Sequence, residues 1–296
     1  MIVVKLMGGL GNQMFQYAFA RNLAIKNKTS LKADLDFLLD RAPRENFVFR
    51  EYDLDIFQLD LKRASDTEIG QFSSQSPSFW QKVKRKLLSE SKEIVKESHF
   101  YFDPIHFSVN KDIYLEGYWQ SEKYFKENEA VIRKDFSFSL SLSKEESLLQ
   151  KEISSHNAVC INFRRTDFVD LKNSSDTHGV TDLEYYENAI GLIVQKIKKP
   201  HFYVFSDDIE WCRENFKVEY PITYVGHEYK GYKFSSYLQL MSQCKHFIIP
   251  NSTFAWWAAW LCENHSKIVV TPDKWFKDSE LQKQTKDIIP EDWLKL

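Results

Sequence analysis

The stretch Ala158-Val159-Cys160-Ile161-Asn162-Phe163, followed at once by Arg164-Arg165-Thr166-Asp167, decides how this chain folds. A short, continuous apolar run with sharp polar ends reads as a strand buried on both faces, the kind that parallel sheets contain. The residues beyond it repeat the theme. Strands are predicted over 158–163, 201–205, 222–225, 246–249 and 267–271, with helices over 182–198, 208–216, 234–243 and 252–263. Strands and helices alternating through short connections build a doubly wound parallel sheet. Pro200, Pro221 and Pro250 fall at strand edges, where a missing amide donor does little harm.

Working back toward the amino terminus, Ser137 to Glu152 holds a helix start that separates two halves, and the boundary is placed at 145. Two domains also suit 296 residues at a typical domain size of about 150. Between Leu61 and Ser98 the chain turns polar, and Lys82, Lys84, Arg85 and Lys86 read as the solvated face of an exposed helix. At the start, Ile2 to Met7 is β-prone, and Asn12 to Lys26 carries a helical stripe of Met14, Phe15, Ala18, Phe19 and Ala24. Gly8, Gly9 and Gly11 lie between them, in a chain with only 9 glycines.

Composition narrows the function. With 43% hydrophobic and 28% charged residues the chain is an ordinary globular one, and a net charge of -2 supplies no field to draw in nucleic acid or an anionic membrane. An anionic ligand must therefore be held locally. The longest apolar stretch, Phe254 to Cys262, falls short of the roughly 18 residues a membrane span needs, and no cleaved leader is expected. Cys160, Cys212, Cys244 and Cys262 are too scattered for a disulfide framework or a zinc site and read as reduced, buried thiols.

In doubly wound sheets the ligand lies beyond the carboxyl ends of the strands, which selects four motifs. Gly8-Gly9-Leu10-Gly11-Asn12-Gln13 fails as a dinucleotide fingerprint, because Met14 occupies the third glycine position, and the phosphate-loop ending is absent. It remains either a glycine turn that lets helix amides approach an anion or a sugar, or a tight turn alone. Arg164 and Arg165 directly after a buried strand are an unusual place to leave charge. One guanidinium can meet phosphate while the other pairs with Asp167 or another carboxylate; the alternative is a structural ion-pair network. Ser206-Asp207-Asp208 offers a helix cap or a carboxylate for a ribose or base, and two arginines nearby speak against a magnesium site. Asn251-Ser252-Thr253 opens a helix and is either an anion cradle or a plain cap. Trp256, Trp257 and Trp260, spaced by alanines, read as packing.

These motifs, joined to Lys5-Leu6-Met7-Gly8-Gly9-Leu10-Gly11-Asn12-Gln13-Met14-Phe15-Gln16-Tyr17-Ala18 and Gly117-Tyr118-Trp119-Gln120-Ser121-Glu122-Lys123-Tyr124-Phe125, resemble the α-1,2-fucosyltransferases of glycosyltransferase family 11 over nearly the whole chain. The resemblance implies a GT-B fold: α/β, two Rossmann-like domains facing across a cleft, acceptor-side over 1–145 and GDP-fucose-binding over 146–296. It implies inverting transfer of L-fucose from GDP-fucose to the 2-hydroxyl of a terminal β-galactose, forming an α-1,2 linkage. GDP-fucose is then a co-substrate, and no metal or other cofactor is required. The alternatives are a glycosyltransferase using another GDP-sugar or acceptor, and a non-catalytic nucleotide-sugar-binding module. The family pattern reads His-x-Arg-Arg-x-Asp, whereas Asn162 stands here at the histidine position, and an amide cannot relay a proton at neutral pH.

Under this resemblance Arg164 neutralises the departing diphosphate, helped by Ser252, Thr253 and the amides of their helix, while Arg165 holds the loop. Asp167 is the nearest base for the acceptor hydroxyl. Asp207 reads the nucleoside, and Asn162 and Asn251 complete the donor site. Gly9, Gly11, Asn12 and Gln13 form a loop that closes over the donor, with Asn12 and Gln13 positioning donor or acceptor. Trp119 and Gln120 are the acceptor-side candidates, because indole packs on the C–H face of a pyranose and an amide meets its hydroxyls; a core role is the alternative for Trp119. The partners are GDP-fucose and a β-galactoside-terminated oligosaccharide or glycolipid precursor, with no nucleic acid and no transmembrane segment. Peripheral membrane contact is left open, and the expected location is cytoplasmic, the inner membrane face included.

Overall fold

The computed structural model describes residues 1–43, 48–72, 92–109, 112–165 and 181–296. The chain divides into two compact units, Met1–Ser137 and Phe138–Leu296. The division falls earlier than the expected 145, which lies inside a helix, Lys144–Ser155. Ser143 and Glu146 form a capping box that starts this helix. Its Ile153 is fully buried, so the helix belongs wholly to the second unit. The exposed basic helix expected around Lys82 to Lys86 lies outside the described residues.

The first unit is a parallel sheet of β1 (Ile2–Lys5), β2 (Leu31–Asp34), β3 (Lys62–Arg63), β4 (Lys92–Lys96) and β5 (Asp112–Glu116). The spatial order is β3-β2-β1-β5-β4. Ile2, Val3 and Val4 are fully buried because β1 is the central strand. Helix α1 (Leu10–Lys26) follows β1 and buries Met14, Phe15, Ala18 and Phe19 together with three amides, Gln13, Gln16 and Asn22. Buried amides must be bonded. That of Asn22 donates to the Tyr124 carbonyl (2.7 Å), which fixes the helix against the segment after β5. A second helix, α2 (Glu129–Asp135), is tied to α1 by the carboxylate of Asp135, which accepts from Arg21 and Tyr17 at 2.8 Å each.

The second unit follows the predicted alternation closely. It runs α3 (Lys144–Ser155), β6 (Asn157–Phe163), α4 (Leu183–Lys196), β7 (Pro200–Ser206), α5 (Ile209–Asn215) and β8 (Ile222–Tyr224). It continues with α6 (Ser235–Ser242), β9 (His246–Ile248), α7 (Thr253–Leu261), β10 (Val269–Thr271) and β11 (Leu294–Lys295). All strand pairs are parallel, in the order β11-β10-β9-β6-β7-β8. Val159, Ile161, Phe202, Val204, Ile193 and Ile248 form the heart of its core. The tryptophans of α7 are packing residues, as expected: all three are buried, and Trp256 Nε1 donates to the Ile288 carbonyl (2.8 Å). Cys160, Cys212, Cys244 and Cys262 are buried, and none is in a disulfide. Among the described residues no helix is long and apolar enough to cross a membrane.

Candidate active site

In the second sheet the strand order reverses at β6, which has β7 on one side and β9 on the other. Ligands of open parallel sheets sit beyond the carboxyl ends of the strands at such a reversal. The end of β6 delivers Arg164 and Arg165, and the end of β9 leads into Asn251, Ser252 and Thr253.

Arg165 is held from three directions. Its backbone N–H donates to Asp207 Oδ1 (2.9 Å), and its guanidinium carbon lies 3.4 Å above the centre of the Trp211 ring. Its Nε is 3.8 Å from Asp208 Oδ2, an ion pair too long to be a hydrogen bond, so this buried donor has no hydrogen-bond partner among the described residues. Stacking on an indole fixes the guanidinium plane. The two acids after β7 divide their work. Asp208 caps α5 by accepting from the Trp211 N–H (3.2 Å), and Asp207 ties the arginine loop to β7. Trp211 itself was missed by sequence reasoning. Its signal is an aromatic in the first turn after an acidic cap, beside the strand that carries the arginines.

Arg164 is half-buried and lines, with Arg165, Trp211, Tyr186 and Thr181–Leu183, a cavity of about 200 Å³ whose floor is the stacked pair Phe163 and Tyr186 (ring centres 3.9 Å apart). Burial holds the Tyr186 phenol well above its ordinary pKa, so it stays a neutral donor, bonded to the Asn162 carbonyl (3.0 Å). The Asn162 side chain is buried and donates across to the Phe205 carbonyl at 3.2 Å. At this position the amide ties β6 to β7. Asn251 is likewise buried, donating to the Trp275 carbonyl (3.0 Å) and accepting from Thr181 Oγ1 (3.4 Å). Ser252 is the N-cap of α7 and accepts from the Ala255 N–H (3.5 Å); Thr253 is the first helical residue. His227, not singled out from sequence, lies just after β8 and contacts the Ser206 carbonyl through Nε2 (3.0 Å), at this same edge. Asp167 lies outside the described residues.

The first sheet reverses in the same way at β1, between β2 and β5. Gly8, with φ +77°, is the glycine this loop requires, because any side chain there would be strained in that left-handed conformation and its Cβ would also crowd Asn12. Gly9, the N-cap of α1, could carry a methyl that meets nothing within 4 Å, and Gly11 is buried in the first turn. Gln13 was expected to position a ligand, but it is fully buried and both its amide hydrogens are engaged, by the carbonyls of Gly8 (2.9 Å) and Glu51 (2.8 Å). Its Oε1 accepts from the Asp53 N–H at 2.9 Å. Gln13 therefore anchors the loop. Gln16 spans the reversal, accepting from Met7 N–H (3.0 Å) and donating to the Gly117 carbonyl (3.1 Å).

Trp119 is a core residue and no sugar platform: it is 0% exposed, with its ring against Phe19 (centres 4.7 Å apart) and Tyr124 (5.7 Å). Its φ of +56° is left-handed, which turns the chain away from the line of β5. Gln120 follows and donates to Asn12 Oδ1 (2.9 Å), while its own Oε1 is buried without a hydrogen-bond partner among the described residues. Glu97, directly after β4, was not read from sequence. Its carboxylate accepts from the N–H groups of Tyr118 (2.6 Å) and Trp119 (3.0 Å). Burial pushes this carboxyl up to about 7, against the two N–H bonds that pull it down.

Among the described residues Glu152, His156 and His201 are grouped as metal ligands can be, with one atom from each within 4.8 Å of the others. They lie at the amino-terminal edge of the second sheet, the end opposite Arg164. Each is already bonded within the chain: Tyr203 Oη donates to Glu152 (3.0 Å) and contacts His156 Nδ1 (2.7 Å), and His201 Nε2 meets Thr223 Oγ1 (2.9 Å).

The family model of Glycosyl transferase family 11 matches residues 71–296. The chain belongs to glycosyltransferase family 11. It is a glycosyltransferase, and its two parallel α/β units are the composition of the GT-B class. An Escherichia coli α-1,2-colitosyltransferase is 32% identical over 100% of this chain and 98% of its own length. A Rattus norvegicus galactoside α-(1,2)-fucosyltransferase 2 is 31% identical over 35% of this chain and 29% of its own. A solved structure, the fucosyltransferase NodZ from Bradyrhizobium, covers 87% of this chain and 91% of its own at 13% identity, with a TM-score of 0.46.

Proposed function

We propose that this family 11 glycosyltransferase moves L-fucose from GDP-fucose to the 2-hydroxyl of a terminal β-galactose, with inversion to an α-1,2 linkage and without a metal. The observation that carries the reading is the arginine pair at the reversal of the second sheet, one guanidinium stacked on Trp211 and the other lining the adjoining cavity. Breaking the bond from fucose C1 to phosphate builds negative charge on the departing GDP and positive charge on the sugar. Fixed cations placed where that negative charge develops stabilise the transition state without reorganising. Arg164 takes that role, with Arg165 presenting a donor edge beside it and the amino terminus of α7, with Ser252, Thr253 and Asn251, adding oriented N–H groups. Asp207 and His227, at the ends of β7 and β8, serve the nucleoside.

The first sheet's edge serves the acceptor in this reading, with Gln120 and Asn12 as its hydroxyl-binding amides. Asp167 is the base for the acceptor hydroxyl. Little basicity is needed where the sugar leaves as an oxocarbenium-like species and the hydroxyl loses its proton late.

The whole-length match to a colitosyltransferase favours a second reading, in which the donor is a GDP-linked 3-deoxy analogue of fucose. A site built to bond the 3-hydroxyl rejects the analogue that lacks it by orders of magnitude, whereas an apolar lining there does not. Purified protein is therefore to be given GDP-fucose or GDP-colitose with a panel of β-galactosides, with and without EDTA. Fucosyl product that survives EDTA is the expected result. Product from GDP-colitose alone replaces the donor assignment, and product lost with EDTA overturns the metal-free one. Donor binding with no transfer to any galactoside makes the chain a binding module.

A further inference from the structure

Strands β4 and β5 pair as far as Lys96 and Glu116, and the N–H of Glu97 still donates to the Glu116 carbonyl at 2.9 Å. There the ladder ends, and the N–H groups of Tyr118 and Trp119, two and three residues beyond β5, need acceptors from elsewhere. Glu97 supplies one carboxylate oxygen to each. The neighbouring Gly117 allows this approach, because a methyl there would collide with Glu97 Cβ and come 2.9 Å from Trp119 Cε2. Trp119 is held in the left-handed region that a residue with a Cβ disfavours by about 1 kcal/mol. That bend carries Gln120 across to Asn12 and leaves its Oε1 buried and unbonded among the described residues.

We propose that Glu97 is a positioning residue for the acceptor sugar: its carboxylate clamps the Gly117–Trp119 turn so that Gln120 is presented to the acceptor's hydroxyls at the carboxyl edge of the first sheet. This rests on the acceptor-side reading of that edge given above. The charged groups on the surrounding elements are engaged with one another. Lys5 of β1 and Lys96 of β4 both bind Glu116 of β5 at 2.8 Å, and His99 lies 3.6 Å from Asp103 on the following loop. Burial therefore dominates the titration of Glu97, with the Tyr118 phenol, itself raised first by burial and then by the Glu97 charge, beside it. Protonation removes an acceptor lone pair, so the clamp loosens as the pH falls below about 7.

The test compares the wild-type protein with Glu97→Gln and Glu97→Asp, using GDP-fucose and lactose, with amide hydrogen exchange of the 112–125 segment measured on the unliganded proteins. Glu97→Gln keeps the size but turns one acceptor into a donor. It should raise KM for lactose about tenfold, the scale of one hydrogen bond to a charged group, and leave KM for GDP-fucose within about twofold. Exchange at Tyr118 and Trp119 should quicken while α1 stays protected. Glu97→Asp, which keeps the charge, should recover part of both. The wild-type KM for lactose should rise as the pH falls from 8 to 6, and that slope should vanish in Glu97→Gln. Unchanged exchange and unchanged KM for lactose overturn the proposal, as does a parallel rise in both KM values, which marks a general loss of structure. If the wild-type protein transfers nothing to any galactoside, the functional reading fails. Exchange then decides the clamp alone: quickening confined to 118–120 upholds it, and none rejects it.

Discussion

The two sheet edges of this chain are built on one plan and carry opposite chemistry. Each central strand, β1 or β6, is flanked by strands reached in opposite directions, and each hands its last residues to a loop at the reversal. At the end of β6 the loop carries two guanidinium groups, one braced on an indole with a buried Nε that no residue described satisfies. At the end of β1 the corresponding groups are neutral amides of Asn12, Gln13, Gln16 and Gln120, bonded to the backbone or to one another. Under the proposed function, topology sets where a ligand sits, and the side chains that follow each strand set which kind. Cations suit a phosphate that gains charge during reaction, and amides suit hydroxyls that do not.

The comparison breaks most visibly at Arg164. Arg164→Ala should lower turnover by at least about 100-fold with the melting temperature nearly unchanged, as for other fixed charge stabilisers; near-normal turnover would move the phosphate site off this edge. On the amide edge, Gly117→Ala should destabilise the first unit by about 1–3 kcal/mol, since overpacked backbone must shift, while Gly9→Ala should be silent. Equal effects in denaturant titrations would erase the distinction drawn between those glycines. Trp211→Ala takes away the platform under Arg165 and should weaken GDP binding about tenfold by calorimetry, between the values of an exposed and a desolvated cation–π contact. Ser252→Ala removes a cap with one long hydrogen bond and should cost about 1 kcal/mol, read as a small fall in melting temperature.

The gentlest contrast is in pH. Burial lifts the Glu97 carboxyl from its ordinary 4.5 to about 7 in the folded state, which therefore binds this proton more tightly than the unfolded one. Its contribution to stability is fullest below the lower value and is lost as the pH rises toward 7. Denaturation midpoints of Glu97→Gln should lack that downward slope; an identical slope in both proteins would place the titration elsewhere.

Much of this contrast is legible in the sequence on one side and little of it on the other. Four of the second unit's six strands are interior, and their apolar runs announce them, whereas the exposed edge strand β11 was not expected: the predicted strand over 158–163 is Asn157–Phe163, and the predicted helix over 182–198 is Leu183–Lys196. In the first unit only β1 and α1 stand out. Strands β3 (Lys62–Arg63) and β4 (Lys92–Lys96) lie at the edges, exposed on most of their residues, so neither shows the run that marks a buried strand. Arg164, Arg165 and the cap at Ser252 were readable because each follows a recognisable strand. Glu97 was not, because nothing near it in the chain says that its carboxylate will meet backbone some twenty residues further on. Trp119 misled for the opposite reason: an indole beside an amide suits both a sugar and a core, and burial alone separates the two.

The register of the first sheet also bears on how the chain is made. Ile2 pairs with Ile113, whereas Asn157 pairs with Pro200. A ribosome adding about 5–20 residues per second brings β2 to one flank of β1 within a few seconds but leaves the other flank waiting roughly 5 to 20 s for β5, and β6 likewise gains β7 early and β9 only after a delay of roughly 4 to 17 s. Each central strand therefore keeps one flank uncovered for a comparable time during synthesis, and chaperone contact is expected at both β1 and β6.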